Sequence, residues 1–155
     1  MKSIKTKVIA EAGVNHNGSI KTAKELIEVA SKCGADYVKF QTFKADNLLS
    51  KNAEKAHYQI INTDSKESQF EMLKKLELSK NDHEVLIEHC LKNNIGFLST
   101  PFDIESLEML INLDISIIKI PSGEITNFPF LKYISFLNKK IIMSTGMSNM
   151  DEISS

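Results

Sequence analysis

Short apolar runs alternate along the chain with longer stretches in which apolar residues recur three and four positions apart. The short runs predict buried strands, because they are rich in β-branched residues and are bounded by turn residues. The five predicted strands are Val8–Val14, Tyr37–Thr42, Ile95–Thr100, Ile117–Ile120 and Ile141–Thr145. The longer stretches predict helices with one face on a core. These helices start after Ser19 or Thr22, at Gln69, after Ser79, after Asp103, after Asn127 and at Met150.

Strands and helices that alternate in this way predict an α/β fold with a parallel sheet and right-handed crossovers. Two architectures fit the pattern: an open doubly wound sheet, or part of a (β/α) barrel. No Gly-rich dinucleotide motif and no P-loop follows a predicted strand. Polar residues instead recur near the carboxyl ends of all five strands. A (β/α) barrel places its active site at those ends, so the pattern favours a barrel.

The length of the chain limits how much of a barrel it can form. Five strands cannot close an eight-stranded barrel, and a whole barrel typically needs about 250 residues. We therefore expect residues 1–155 to be the N-terminal part, about five strands, of a TIM-type (β/α)8 barrel in a longer protein. The polar connection from Phe43 to about Ser68 has no clear periodicity, and a long connection of this kind is usually functional.

Composition excludes some classes of function. Hydrophobic residues make up 42% of the chain and charged residues 25%, with a net charge of −1. This balance provides no general basic surface for nucleic acid or for an anionic membrane. No apolar run approaches the roughly 20 residues of a membrane span, and two cysteines without disulfide or zinc spacing lead us to expect a reduced, cytoplasmic protein. Cys33 and Cys90 fall among apolar residues of predicted helices and are expected to be reduced core thiols, with one reactive thiol as the less favoured alternative.

Two lysines lie inside predicted strands: Lys119 between isoleucines and Lys39 between Val38 and Phe40. Lysine is rarely buried without a partner. We expect both side chains to point into one cavity and to hold an anionic ligand there, because a phosphate or carboxylate between two ammonium groups removes their repulsion. The alternative is that each lysine extends to solvent or pairs with a core carboxylate such as Glu11.

Further polar residues at the same strand ends could complete such a site. Thr100 and Ser122 could donate hydroxyl hydrogen bonds to the anion. Glu11 is either a lysine counter-ion or a group that orients a substrate hydroxyl or moves a proton. Glu124 is predicted at the rim, as a reacting carboxylate or as a solvated one. The four histidines have no metal-type spacing, and a loop histidine is more often solvated than a ligand, so no metal site is expected within this segment. They are His16, His57, His83 and His89.

Five motifs in order resemble the N-terminal part of the sialic acid synthase family, whose members make nine-carbon nonulosonic acids. The resemblance covers essentially the whole chain. The motifs are Ala10-Glu11-Ala12-Gly13-Val14-Asn15-His16-Asn17-Gly18, Gly34-Ala35-Asp36-Tyr37-Val38-Lys39-Phe40-Gln41-Thr42, Ser99-Thr100-Pro101-Phe102, Lys119-Ile120-Pro121-Ser122-Gly123-Glu124 and Ser144-Thr145-Gly146-Met147. The stretch from His57 to Leu78 is similar to the legionaminic acid synthase branch.

The resemblance implies a phosphoenolpyruvate-dependent transferase that forms a carbon–carbon bond. Such enzymes join phosphoenolpyruvate to an open-chain N-acetylated hexose, either N-acetylmannosamine or a diacetamido-trideoxyhexose, and release phosphate. The implied phosphoenolpyruvate ligands are Lys39, Thr100, Lys119 and Ser122. The implied catalytic residues are Glu11 and Glu124, and the implied sugar contacts are Gln41 and Phe102.

Family members also use a divalent metal, Mn²⁺ or Mg²⁺, held by histidines on later strands, and a C-terminal antifreeze-like domain that closes the partner's site in a homodimer. We expect these parts to be absent from residues 1–155, so activity of this chain alone stays an open question. Two other hypotheses remain: another phosphoenolpyruvate-condensing or phosphosugar aldolase barrel, and a non-catalytic half-barrel that needs a partner chain.

Overall fold

The computed structural model describes residues 6–49 and 68–154. Its strands are β1 (Ile9–Gly13), β2 (Tyr37–Thr42), β3 (Gly96–Pro101), β4 (Ile117–Ile120) and β5 (Lys140–Met143). Its helices are α1 (Ile20–Lys32), α2 (Ala45–Leu48), α3 (Gln69–Leu76), α4 (Lys80–Lys92), α5 (Ile104–Asn112), α6 (Phe128–Ser135) and α7 (Met150–Ser154). A single 3₁₀ turn, Ser122–Glu124, follows β4.

Side-chain caps start most of these helices where the sequence predicts. Ser19, rather than Thr22, caps α1 by accepting a hydrogen bond from the Thr22 backbone N–H. Ser79 caps α4 in a reciprocal box with Asp82. Asp103 and Asn127 accept N–H hydrogen bonds at the starts of α5 and α6. Such caps satisfy backbone donors that the first turn of a helix leaves free.

The connection after β2 differs from the expectation of an irregular segment. The single-turn helix α2 lies within it, and the backbone N–H of Ala45 donates to a carboxylate oxygen of Glu77 at 2.7 Å. One turn is too short to produce a helical period in the sequence. The remainder of the connection, from residue 50 to residue 67, lies outside the described residues.

The strands form two parallel hydrogen-bonded groups, β1-β2-β3 and β4-β5, and β4 lies alongside β3. Helices connect successive strands, as right-handed crossovers require. Opposite residues in the first group include Glu11 with Lys39 and Gln41 with Thr100. The prediction of parallel strands in an α/β fold is confirmed.

The helices bury one face of these strands in two apolar clusters. The first cluster packs β1 and β2 on α1 and α4, with Ile27, Phe40 and Leu86 fully buried. The second packs β4 on α5 and α6 through Leu107 and Ile118. Burial of each such side chain contributes about 1.5–3 kcal/mol. Residues of the opposite strand face are therefore free to carry polar groups.

The turn after β1 is held against α3. Gly18 has a φ of +76°, and a Cβ atom at that position would overlap the backbone carbonyl oxygen of Lys75. Glycine is the residue that adopts this conformation without strain and leaves room for the close approach. The turn is therefore fixed beside the carboxyl end of β1.

The structure also bears on what the sequence predicts for the two cysteines and for a membrane span. Cys90 is a buried thiol, as predicted, and burial raises its pKa to about 12. The prediction of a core thiol is wrong for Cys33, because this residue is exposed beyond the last turn of α1. Within the two described ranges, no helix is both long enough and apolar enough to cross a membrane.

Candidate functional site

The polar face of the strands is organised by their register. Side chains on a strand alternate between its two faces, so Lys39 and Gln41 point away from the helix-packed Val38 and Phe40. In the ladder, Glu11 lies opposite Lys39, and Thr100 lies opposite Gln41. One strand face therefore carries a carboxylate, an ammonium group, an amide and a hydroxyl side by side.

This face forms one wall of a cleft of about 400 Å³. Both strand lysines line it, and they come from the two different strand groups. The remaining lining residues are mostly polar and follow the carboxyl ends of the strands. The described residues that line the cleft are Glu11, Gly13, Val14, Asn15, Lys39, Gln41, Thr100, Phe102, Lys119, Pro121, Ser122 and Ser144.

Lys39 is held in the cleft by two neighbours. Its Nζ lies 2.5 Å from Oε2 of Glu11 and donates to Oγ1 of Thr100 at 3.1 Å. The Lys39 side chain is 11% exposed, whereas Glu11 is 54% exposed and reaches solvent at the cleft mouth. This geometry is compatible with both roles that the sequence left open for Glu11, because the carboxylate pairs with a lysine and also faces the cleft.

Lys119 has neutral partners instead. Its Nζ donates to the backbone carbonyl of Ile120 at 2.6 Å and to Oγ of Ser144 at 2.7 Å. Burial lowers the pKa of the Lys119 ammonium group, the positive charge of Lys39 lowers it further, and the Glu11 carboxylate opposes these two effects. The charge of Lys119 is thus compensated less completely than that of Lys39.

The charges of the cleft wall favour an anion. Two ammonium groups and one carboxylate line it, so the wall is net positive although the whole chain has a net charge of −1. In a partly dehydrated cleft, charges interact more strongly than at the open surface. An anionic ligand between Lys39 and Lys119 would relieve their mutual repulsion and give Lys119 an anionic partner, where its described partners are neutral.

The structure brings together seven of the eight residues that the sequence and the family resemblance suggested. Gln41, Phe102 and Ser122 line the same cleft as both lysines, Thr100 and Glu11. Glu124 is not among the lining residues. It lies in the 3₁₀ turn after β4, where its carboxylate accepts a 2.6 Å hydrogen bond from the side chain of Asn127, the cap of α6.

Ser144 is the residue that sequence reasoning left out of the site. It follows β5 at the carboxyl end, and its backbone N–H bonds to the carbonyl of Ile120 while its hydroxyl accepts from Lys119. The available signal was its position beside Thr145 at the carboxyl end of the predicted strand Ile141–Thr145. The partnership with Lys119 depends on how β4 and β5 pair, which the sequence pattern does not contain.

The histidines are placed differently from the sequence expectation. His16 is fully buried rather than solvated, and its Nδ1 accepts a hydrogen bond from the Gly18 N–H, while its Nε2 has no hydrogen-bond partner in residues 6–49 and 68–154. Burial is the main cause that lowers the pKa of His16, and a neighbouring His83 adds to the effect. His83 is also fully buried, and His57 lies outside the described residues.

The described residues do not supply a metal centre by themselves. Across residues 6–49 and 68–154, no group of three His, Cys, Asp or Glu side chains is placed to hold a metal ion. A divalent cation is implied only by the family resemblance. Its ligands stay a prediction for other parts of the protein.

Parallel strands joined by helices, with a polar cleft at the carboxyl ends of the strands, define this chain as the N-terminal part of a TIM-type (β/α) barrel. A family model described as the NeuB family matches residues 26–155, and the chain belongs to that family. The sequence-based assignment to the sialic acid synthase family is thereby confirmed.

Individual relatives carry more specific names. The chain is 60% identical to an N,N'-diacetyllegionaminic acid synthase of Campylobacter jejuni, over 96% of this chain and 45% of that protein. It is 51% identical to a synthase of the same name from Legionella pneumophila, over 94% of this chain and 41% of that protein. The chain therefore spans less than half the length of both curated relatives.

A solved structure supports the same relationship. The N-acetylneuraminic acid (sialic acid) synthetase from Leptospira borgpetersenii, in complex with citrate, superposes with a TM-score of 0.79 at 29% sequence identity. The match covers 99% of this chain and 51% of the solved one. The fold of the described strands and helices is thus the fold of about half of that synthetase.

Proposed function

We propose that the protein condenses phosphoenolpyruvate with an N-acetylated hexose to form a nonulosonic acid and phosphate. The observation that carries the proposal is the placement of Lys39 and Lys119, from two separate strand groups, in the wall of one cleft. Membership of the NeuB family and relatives named as diacetyllegionaminic acid synthases support the same activity. The activity is proposed for the whole protein, because this chain spans less than half of those relatives.

The cleft suits phosphoenolpyruvate in charge and in donor groups. This substrate carries a phosphate and a carboxylate on adjacent positions, so it needs several cations and hydrogen-bond donors close together. Lys39 and Lys119 provide the charge, and the hydroxyls of Thr100, Ser122 and Ser144 provide donors at the same cleft. Charge-assisted hydrogen bonds of this kind are roughly twice as strong as neutral ones. The solved synthetase from Leptospira borgpetersenii, which was in complex with citrate, also bound a carboxylate-bearing ligand.

The proposed reaction conserves every atom. The methylene carbon of phosphoenolpyruvate forms a bond to the aldehyde carbon of the open-chain sugar, and positive charge develops at the carbon that bears the phosphate. Water adds to that carbon, and one of its protons passes to the former aldehyde oxygen, which becomes a hydroxyl. The carbon–oxygen bond to phosphate then breaks to leave a ketone, and the second proton of the water leaves with the phosphate. Two lysines stabilise the negative charge that accumulates on the departing phosphate.

A carboxylate beside the substrate would stabilise the positive carbon or take the proton from water. Glu11 lines the cleft and is half exposed there, so it is positioned to reach a bound substrate. The family resemblance implies Glu124 as well as Glu11 for catalysis, but Glu124 accepts a hydrogen bond from Asn127 and is not among the residues that line the cleft. We therefore favour Glu11 for the role within the described residues.

The acceptor sugar is proposed from the relatives and from the cleft rim. Gln41 and Phe102 line the cleft beside Thr100 and offer an amide and an aromatic face, both suited to an N-acetyl group. Two curated relatives are named for a diacetylated product, so we favour a diacetamido-trideoxyhexose over N-acetylmannosamine. A divalent cation, Mn²⁺ or Mg²⁺, and a homodimer also remain predictions.

Calorimetric titration and a phosphate-release assay on the whole protein test the proposal. We expect phosphoenolpyruvate to bind more tightly than pyruvate or inorganic phosphate, because only phosphoenolpyruvate engages both lysines with two anionic groups. Phosphate release should then require a diacetamido-trideoxyhexose or N-acetylmannosamine as well as a divalent cation. Absence of phosphoenolpyruvate binding, or equal turnover with phosphorylated sugars, would contradict the proposal.

A further inference from the structure

A chain of buried hydrogen bonds lies behind the cleft, on the helix-packed side of β2 and β3. The Oγ1 atom of Thr42 lies 2.6 Å from Oγ of Ser99 and 2.7 Å from Nε2 of His83. The other ring nitrogen of His83, Nδ1, lies 2.8 Å from the backbone carbonyl oxygen of Ser79. All three side chains in this chain of bonds are buried, and His83 and Ser99 have no exposed surface.

The chemistry of the partners fixes the direction of one bond in this chain outright. A carbonyl oxygen only accepts, so Nδ1 of His83 carries the hydrogen that it donates to Ser79. The directions of the other two bonds follow from the charge of the ring. In a neutral ring Nε2 is an acceptor that takes the hydroxyl hydrogen of Thr42, and the Thr42 oxygen accepts from Ser99.

The surroundings of His83 suit that neutral form. The ring packs edge-on to Phe97, with centroids 6.1 Å apart. Burial lowers the pKa of His83, and Lys44 acts in the same direction, while the Ser79 carbonyl and the Asp82 carboxylate oppose them. The ring of His16, from the turn after β1, is a further titratable group that interacts with it.

The chain of buried hydrogen bonds and the cleft lie on opposite faces of the same two strands, β2 and β3. Thr42 directly follows Gln41, and Ser99 directly precedes Thr100, so their side chains point away from the cleft. On the cleft side, Lys39 donates to Thr100 across the same pair of strands. Two side-chain hydrogen bonds, Lys39 to Thr100 and Thr42 to Ser99, therefore connect β2 with β3 near their carboxyl ends. His83 connects Thr42 with Ser79, the residue that caps α4.

A fully paired buried network fixes one arrangement of its members more sharply than apolar packing does. We propose that His83 is a positioning residue, which acts through Thr42 and Ser99 to hold Lys39 and Thr100 in the geometry that binds phosphoenolpyruvate. This inference rests on the proposed function, since it names the anion that the positioned groups receive.

Three variants of the whole protein separate positioning from general stability. His83→Leu removes both ring hydrogen bonds. His83→Gln keeps an acceptor for Thr42 with a side chain of similar reach. His89→Leu is the matched control on the same helix, because His89 bonds to Glu28 of α1 rather than to a strand. For each variant, calorimetry gives the affinity for phosphoenolpyruvate, and denaturant unfolding confirms that the protein is folded at the assay temperature.

We expect His83→Leu to weaken phosphoenolpyruvate binding about tenfold, because a small displacement of positioned groups is costly in a binding site. His83→Gln should stay within about threefold of the parent protein, and His89→Leu within about twofold, since neither change removes the acceptor for Thr42. If His83→Leu does not fold, Ser99→Ala interrupts the same chain of hydrogen bonds with a smaller change and should weaken phosphoenolpyruvate binding about fivefold.

The outcomes distinguish the two proposals. A parent protein that does not bind phosphoenolpyruvate overturns the proposed function and this inference with it. A parent that binds while folded His83→Leu or Ser99→Ala binds equally well overturns the positioning role alone. Equal weakening in His89→Leu also overturns it, because the effect would then come from loosening α4 in general.

Discussion

The two strand groups each contribute one lysine to the cleft, but they hold it in different ways. In the β1-β2-β3 group, Lys39 lies beside the carboxylate of Glu11 and the hydroxyl of Thr100. In the β4-β5 group, Lys119 lies beside a backbone carbonyl and the hydroxyl of Ser144. The first lysine has a counter-ion within its own strand group, and the second does not.

Because of this difference, the two lysines contribute to anion binding in different ways. The Glu11 charge offsets that of Lys39, so this pair contributes a positioned donor more than a net charge. Lys119 contributes the net positive charge, and the cost of burying it is reflected in its lowered pKa. An anion that enters the cleft should therefore gain more from Lys119 than from Lys39.

The strand groups also differ in how they are packed, and this leads to the largest expected effect. Leu86 and Leu107 are both fully buried, one in each apolar cluster. Either change to alanine should lower the free energy of unfolding by about 2–5 kcal/mol. Leu86→Ala should cost more, because the described part of its cluster has twice as many buried members and can collapse less into the cavity.

Denaturant unfolding of both variants measures this difference. Leu91→Ala is the control for Leu86→Ala, since Leu91 is on the same helix and is 71% exposed. Its effect should stay within about 0.5 kcal/mol. A greater loss in Leu107→Ala than in Leu86→Ala would reverse the comparison between the strand groups.

The next effect concerns Lys119 directly. Lys119→Met should weaken phosphoenolpyruvate binding by about 1.5–3 kcal/mol, the scale of a hydrogen bond to a charged group. Calorimetry on the whole protein measures it. Lys140→Met is the control, because Lys140 also lies in a strand of the same group but is exposed and outside the cleft. Unchanged affinity in Lys119→Met would refute anion binding by this lysine.

A smaller effect of opposite sign is expected at Glu11. Glu11→Gln removes the one carboxylate found among the described residues that line the cleft and should strengthen phosphoenolpyruvate binding by about 0.5–1 kcal/mol, the scale of a partly exposed charge interaction. Turnover should fall in the same variant if Glu11 also stabilises the positive carbon or moves a proton. Weaker binding in Glu11→Gln would mean that the carboxylate holds Lys39 in place rather than opposing the anion.

The smallest expected effect is a dependence of stability on pH. Burial lowers the pKa values of His16 and His83 below that of an unfolded histidine, near 6.5. Below that pH the unfolded chain takes up protons that the folded chain does not, so the free energy of unfolding should fall as the pH drops toward the lowered values. Above it, the contribution is complete.

Unfolding curves at about pH 7.5 and about pH 5.5 would detect the loss, and His83→Gln should reduce it. Asp82 favours the protonated form of both rings and keeps the effect small. An increase in stability on acidification, over the range where only histidine titrates, would show that these rings are charged in the folded protein.

Much of the fold could be predicted from the sequence because its signals are local. β2 and β4 have the predicted bounds, Tyr37–Thr42 and Ile117–Ile120, and α3 begins at the predicted residue, Gln69. Apolar runs, caps and turn residues each act over a few positions. α2 could not be predicted in the same way, because four residues do not complete a recognisable period.

The residues of the site could also be predicted where their signal is local, and not where it depends on contacts between distant segments. A lysine between isoleucines signals its burial within three residues, so Lys119 could be recognised as unusual from the sequence alone. Its partner Ser144 could not, since that contact depends on the pairing of β4 with β5. The burial of His16 depends likewise on how distant segments pack over the turn after β1, and the exposure of Cys33 on where α1 ends.

The exposed thiol of Cys33 has a practical use. The chain holds two cysteines, and the inner one, Cys90, is both covered and reluctant to ionise. A maleimide dye at mildly alkaline pH would therefore attach within this chain at Cys33, on the outer layer of helices and away from the residues that line the cleft. Fluorescence from this label could then follow refolding without any substitution in residues 1–155.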